Sequence, residues 1–106
     1  MKARVQFTEA AQEEHLAILR YYRGGDVEIA RAFNRELRRQ MGLLKERPRL
    51  GAPYLEGTRR KVFRRFPYSL VYVLEAEDLI TIYAVPHHSQ DPEYWLYRVK
   101  DRRQGR

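Results

Sequence analysis

Thr58-Arg59-Arg60-Lys61-Val62-Phe63-Arg64-Arg65-Phe66-Pro67-Tyr68-Ser69-Leu70-Val71-Tyr72-Val73-Leu74-Glu75 is the stretch in which the chain changes period. Before it, apolar residues return every three or four positions. From Arg59 onward they alternate with polar ones, as a strand requires. Arg59 to Phe66 reads as one strand, ended by Pro67-Tyr68. Ser69 to Glu75, rich in Val and Tyr, reads as a second. Glu75-Ala76-Glu77-Asp78 is a polar turn, and Leu79 to Val85 reads as a third strand. Links this short join antiparallel neighbours, so the three strands form a meander.

Upstream, Ala30, Phe33, Leu37, Met41 and Leu44 recur at helical offsets and predict an amphipathic helix of about five turns, ended by Pro48 and Gly51. Asp26 is placed to cap it. A preceding helix starts at a Thr8 cap, with Glu9 in its first turn, and carries Leu16, Leu19 and Tyr22, with Ala11, His15 and Ile18 close to the same stripe, before Gly24-Gly25. The short link makes the two helices an antiparallel hairpin. Ala3, Val5 and Phe7 alternate with polar residues in a first strand. Asp91-Pro92-Glu93 opens a short last helix bearing Tyr94, Trp95 and Tyr97. The expected fold is α+β: an N-terminal strand, then a helix hairpin packed on an antiparallel sheet, in the order β-α-α-β-β-β with a short C-terminal helix. The helix stripe, Leu16, Leu19, Phe33, Leu37, Met41 and Leu44, is expected to bury against Val71, Val73, Ile80 and Ile82. Either strand face satisfies the alternation.

The chain has 106 residues and a net charge of +7. That length supports one domain with a single core. Residues 1–98 are expected to form it and 99–106 a basic, frayed tail. The charge is segregated: residues 35–65 hold eleven basic residues and three acids, and residues 66–97 hold no Lys or Arg. Such a block faces an anionic partner. No apolar run approaches membrane-spanning length, so no membrane contact is expected. Met1-Lys2-Ala3-Arg4 leads directly into a strand without a signal-peptide core, and there are no cysteines. A cytoplasmic location is expected. The three histidines have no helical His-x-x-x-His spacing, so neither a metal site nor a cofactor is expected.

Phe7-Thr8 followed by Leu16-x-x-Leu19-x-x-Tyr22 resembles the first helix of the RelE/ParE toxin superfamily. Leu44-x-x-x-Pro48-x-x-Gly51 resembles the end of its second helix. The fullest likeness is Arg64-Arg65-Phe66-Pro67-Tyr68-x-x-Val71-Tyr72, continued by Ile80-x-Ile82-x-x-Val85-x-His87-x-x-x-Asp91-Pro92. It spans roughly residues 4 to 95, and the Phe-Pro-Tyr turn and His-x-x-x-Asp-Pro ending resemble the ParE, plasmid-stabilisation side. The resemblance implies the toxin of a type II toxin–antitoxin pair, held inactive by a cognate antitoxin. ParE-like members inhibit DNA gyrase, whereas RelE-like members cleave mRNA on the ribosome without a metal. One departure stands out: many relatives carry Arg immediately before Asp-Pro, and this chain carries Gln90.

Arg59, Arg60, Lys61, Arg64 and Arg65 are the candidates for binding a target or nucleic acid, because guanidinium forks match phosphate and carboxylate oxygens. Cations also protect an edge strand from mispairing, but five in seven residues exceed that need. His87, Tyr94 and Trp95 complete the candidate contact set. A ribonuclease would need a base, an acid and cations around the developing phosphorane charge. His87, Tyr94 and Arg64 or Arg65 are the residues for those roles. Neighbouring histidines on an extended segment point to opposite sides, so His87 and His88 do not both face one site. The residues thus support three readings: a gyrase-binding toxin, an mRNA endonuclease, or a basic interaction module without toxicity.

Overall fold

The computed structural model describes residues 2–104. β1 (Arg4–Phe7) leads into α1 (Glu9–Gly25), α2 (Val27–Glu46), β2 (Ala52–Pro53), a 3₁₀ turn at Leu55–Gly57, β3 (Arg59–Val62), β4 (Ser69–Ala76), β5 (Leu79–Ala84) and α3 (Glu93–Gln104). The strands form one five-stranded sheet in the order β1-β5-β4-β3-β2. The α+β class and element order hold. The sheet is mixed rather than purely antiparallel: β1 lies parallel to β5, with Val5 opposite Ile80 and Phe7 opposite Ile82. Parallel neighbours need a long connection, and here the helix hairpin and the meander together supply it.

The caps sit where the sequence puts them. Thr8 Oγ1 accepts the Ala11 N–H at 3.1 Å, and Asp26 Oδ1 accepts that of Glu28 at 2.9 Å. The hairpin link is tighter than the Gly24-Gly25 pair suggests, because α1 continues through both glycines. The break is the extended backbone of Asp26, which closes α1 through its N–H on Tyr22 O and opens α2.

β3 stops at Val62, not Phe66. Val62 pairs with Ser69, and residues 63–68 form the connection to β4. Phe63 still follows the alternation, on the side of Arg59 and Lys61, but the chain then bends at residues 64–67: the Arg64 N–H goes to Glu36, and Pro67 has no N–H to give a ladder. Arg64 and Arg65 therefore sit on an exposed turn, not on a strand.

One sheet face buries Leu70, Tyr72, Ile80 and Ile82 against Phe33, Leu37 and Leu44 of α2 and Ala11 and Ile18 of α1. Burying each large side chain contributes about 1.5–3 kcal/mol. Phe33 is the hub, with ring centroids 5.3–5.8 Å from Phe66, Tyr68, Phe63 and Tyr22. Leu16 is 45% exposed and does not join the core. The buried stripe of α1 runs through Ala11 and Ile18, with Leu19 and Tyr22 packed on its border. Val71 and Val73 face the opposite side of β4, where they meet Tyr83, Trp95 and Val99.

α3 is longer than the sequence suggests and covers that second face. Its stripe Trp95–Val99 packs on Val71, Val73 and Tyr83, so Trp95 is 1% exposed. Most of the stretch read as a frayed tail is the last part of this helix, and residues 105–106 lie outside the described residues. Among the described residues no helix is long and apolar enough to cross a membrane.

Candidate functional site

The alternation of β3 splits the five strand-region cations into three groups. Arg59 and Lys61 point toward the helix layer. Arg59 Nη1 donates to the carbonyls of Arg49 at 3.1 Å and Gly51 at 2.7 Å, fixing the loop after α2. Lys61 has its pKa lowered, by partial burial first and then by Arg39, with Glu36 opposing. Arg60 points to the α3 side. Arg64 and Arg65 stand on the exposed turn. The sequence suggests one basic face; the fold distributes the charges over two faces and a turn.

The segment after β5 sits between two clefts. The first, about 330 Å³, opens between α1 and residues 85–94, with Ile18, Val85 and Tyr68 as floor and Glu14, His87, Gln90 and Tyr94 as rim. The second, about 210 Å³, lies on the α3 side and brings Arg60, Ser69, His87 and His88 together beside Tyr54. The two histidines share this cleft, against the expectation from an extended segment, because residues 87–90 form a turn closed by Gln90 N–H on His87 O at 3.0 Å. There Arg60 Nε–H donates to Ser69 Oγ at 3.2 Å, and Ser69 Oγ shares a 3.0 Å hydrogen bond with His88 Nε2. The Arg60 guanidinium lies 5.5 Å from the Tyr54 ring centroid. No ion pair within 4.0 Å ties Arg60 to a carboxylate among the described residues.

His87 borders both clefts, its ring edge-on to Tyr68 at 5.0 Å. Its backbone N–H donates to Gln90 Oε1 at 2.8 Å, while Nδ1 accepts the Ser89 N–H at 3.0 Å. Nδ1 is thereby occupied as an acceptor, which leaves the ring proton on Nε2. Gln90 closes this small turn through its amide oxygen, a role that a guanidinium, which has no acceptor, does not fill.

Tyr94 donates its hydroxyl to Glu14 Oε1 at 3.1 Å. Burial first, and then the Glu14 charge, push its pKa well above that of a free phenol. The same Glu14 oxygen accepts the Val85 N–H at 2.8 Å, and Arg98 pairs with the other. Arg98 also donates to Tyr83 O at 3.0 Å. Burial alone would lower the Arg98 pKa, but hydrogen bonds to Tyr97 and Glu14 and the Glu14 charge raise it. The Tyr68 hydroxyl is pushed up to about 12, by burial and then by Tyr22.

Of the expected catalytic set, then, His87 and Tyr94 share a cleft, whereas Arg64 and Arg65 line neither cleft. Trp95, expected as a contact, is core. Sequence reasoning missed Glu14, Arg98 and Ser69. The only trace is of Arg98, whose spacing from Tyr94 puts both side chains on one face of a helix. Among the described residues no group of three His, Asp or Glu side chains is placed to hold a metal ion.

Among curated proteins none matches this chain. It is similar in fold to a solved structure described as a chromosomal ParDE TA system from P. aeruginosa. That match has a TM-score of 0.70 at 21% identity and covers 81% of this chain and 96% of the other. The family model described as the ParE toxin of the type II toxin–antitoxin system, parDE, matches residues 5–92. The match spans β1 to the start of the last turn before α3, including the Phe66-Pro67-Tyr68 turn and the Asp91-Pro92 cap. The chain belongs to the ParE toxin family of type II toxin–antitoxin systems.

Proposed function

We propose that this toxin arrests growth as a binding protein, by engaging DNA gyrase through the exposed Arg64–Arg65 turn in the cytoplasm, and that a cognate antitoxin masks it. The family implies an antitoxin partner. The observation that carries the non-enzymatic reading is the state of the two acid–base candidates. His87 Nδ1 accepts the Ser89 N–H, and the Tyr94 hydroxyl is bonded to Glu14. A general base needs a free lone pair and a general acid a proton free to give; in this arrangement the His87 Nδ1 lone pair is taken by Ser89 and the Tyr94 proton by Glu14. Arg64 and Arg65, by contrast, are exposed, and guanidinium groups suit either acidic side chains or phosphates on a large target.

One observation favours a second reading. Arg60, Ser69 and His88 form a polar cleft with a cation that has no carboxylate partner among the described residues, an arrangement suited to a phosphodiester of ribosome-bound mRNA. Inducing the toxin alone separates the two. Gyrase-dependent DNA breaks preceding any mRNA cleavage support the binding reading, and early mRNA cleavage with intact DNA supports the endonuclease.

A further inference from the structure

Glu36 is a carboxylate in the apolar face of α2, one residue before Leu37 and three after Phe33. It is 6% exposed, and an isolated buried carboxylate is costly unless it is bonded. Glu36 is bonded on both sides. Its Oε2 accepts the backbone N–H of Arg64 at 2.6 Å and Gln40 Nε2 at 2.9 Å. Gln40 is 1% exposed, and its own Oε1 has no partner. The amide donor is thus turned toward Glu36 while its acceptor goes unmet. A leucine would fill this space without that penalty. What the carboxylate adds is a hold on Arg64.

The turn beneath which it sits has few other ties. Phe63 N–H bonds Tyr68 O at 2.9 Å, Tyr68 N–H bonds Phe66 O at 2.8 Å and His88 N–H bonds Pro67 O at 2.8 Å, while the Phe66 ring packs on Phe33 and Tyr22. Among the described residues, none of these fixes the Arg64 or Arg65 peptide itself; the Glu36 bond does. The surroundings are crowded with like charge. Arg39, Lys61 and Arg64 all come near, and Glu36 is the acid among them. Burial alone would raise the Glu36 pKa, but the Arg64 and Gln40 hydrogen bonds and the Arg39 and Arg64 charges hold it below the ordinary carboxylate value.

We infer that Glu36 is a positioning residue, anchored in α2, that fixes the Arg64–Arg65 turn in the shape that presents its two guanidinium groups to the target. This rests on the reading of those arginines as the target contact. Glu36 touches no partner itself.

The test compares E36L, which fills the volume without an acceptor, with E36Q, which keeps an oxygen for Arg64 but drops the charge. Two readouts are taken: Arg64 amide hydrogen exchange in the free toxin, and affinity for DNA gyrase. E36L should speed Arg64 exchange by about 10-fold or more and weaken affinity by about 10-fold, whereas E36Q should speed exchange by about 3-fold and weaken affinity by about 3-fold or less. In an R64A/R65A background E36L should add no further loss of affinity, which a purely structural role would not predict. Should E36L fail to fold, E36Q alone still decides through its Arg64 exchange, expected about 3-fold faster than in the unaltered toxin. Unchanged Arg64 exchange overturns the anchor, and an equal affinity loss from E36L in both backgrounds overturns its action through the turn. If R64A/R65A itself binds gyrase like the unaltered toxin while Arg64 exchange still responds to E36L, the contact reading has failed and the positioning role falls with it.

Discussion

Tyr72 shows how much one side chain organises. Its hydroxyl donates to Pro48 O at 2.7 Å and accepts the Gly51 N–H at 2.9 Å, tying β4 to the loop that follows α2. A Cβ added at Gly51 would lie 2.7 Å from that hydroxyl, so only glycine lets the loop approach. Tyr72→Phe leaves both loop groups without a partner and should lower unfolding free energy by about 1–3 kcal/mol in urea titration. Leu37, 1% exposed at the centre of the helix stripe, should lose about 2–5 kcal/mol as Leu37→Ala. A loss under about 0.5 kcal/mol would mean that the site is not core. His15 gives the chain a pH signature. Burial lowers its pKa from 6.5, and the 3.2 Å bond to Asn34 only partly opposes this. The unfolded chain therefore binds more protons just below pH 6.5, and stability should fall as pH drops through that window. His15→Gln should flatten the dependence of melting temperature on pH between neutrality and pH 5. At this scale Phe33, Leu37 and Leu44 are readable from spacing alone. Leu16 and Trp95 are not, because which flank of a stripe is covered depends on elements that pack from elsewhere.

α3 is the element whose role the sequence conceals most. It is polar in composition, yet Trp95 and Val99 roof the second sheet face, and Arg98 and Arg102 bind Glu14 and Glu75 on other elements. Glu14→Ala would strand the Val85 N–H, the Tyr94 hydroxyl and Arg98 together. Because both members of the Glu14–Arg98 pair retain some solvent access, the expected loss is about 1–3 kcal/mol rather than the larger cost of a fully buried pair. Trp95 is the chain's one tryptophan, so its fluorescence should shift to the red at lower denaturant in Glu14→Ala than in the unaltered toxin. An unchanged transition would mean that α3 is held by its apolar stripe alone. The strands and caps were legible because alternation and capping chemistry are local: β5 starts at Leu79 and α2 at its Asp26 cap, both as the sequence suggests. The end of β3 and the parallel pairing of β1 were not, since each is settled by a long-range contact, the Arg64 N–H with Glu36 and Val5 with Ile80.

Across the whole molecule the charge asymmetry survives folding but not as one flat face. Arg39 of α2, Lys61 of β3 and Arg64 of the 63–68 turn lie around Glu36, whereas Glu9, Glu13 and Glu14 line an open groove along α1 with Arg20 and Arg98. An acidic antitoxin should therefore be drawn to the basic side, with its association rate falling as salt rises. An association rate that is flat from low to high salt would exclude steering by these residues. The candidate site was half legible: the arginines, His87 and Tyr94 stand out as residue types, but whether they meet depends on the turn at Phe63 and on Glu14, which no local pattern announces. On the proposed function the toxin binds gyrase and transfers no proton. The direct measurement is inhibition of gyrase supercoiling by purified toxin and by its well-folded His87→Gln variant. Both should inhibit at the same concentration; inhibition by neither, or loss of inhibition in His87→Gln by the about 10²–10⁴-fold expected of a missing acid–base group, would contradict it.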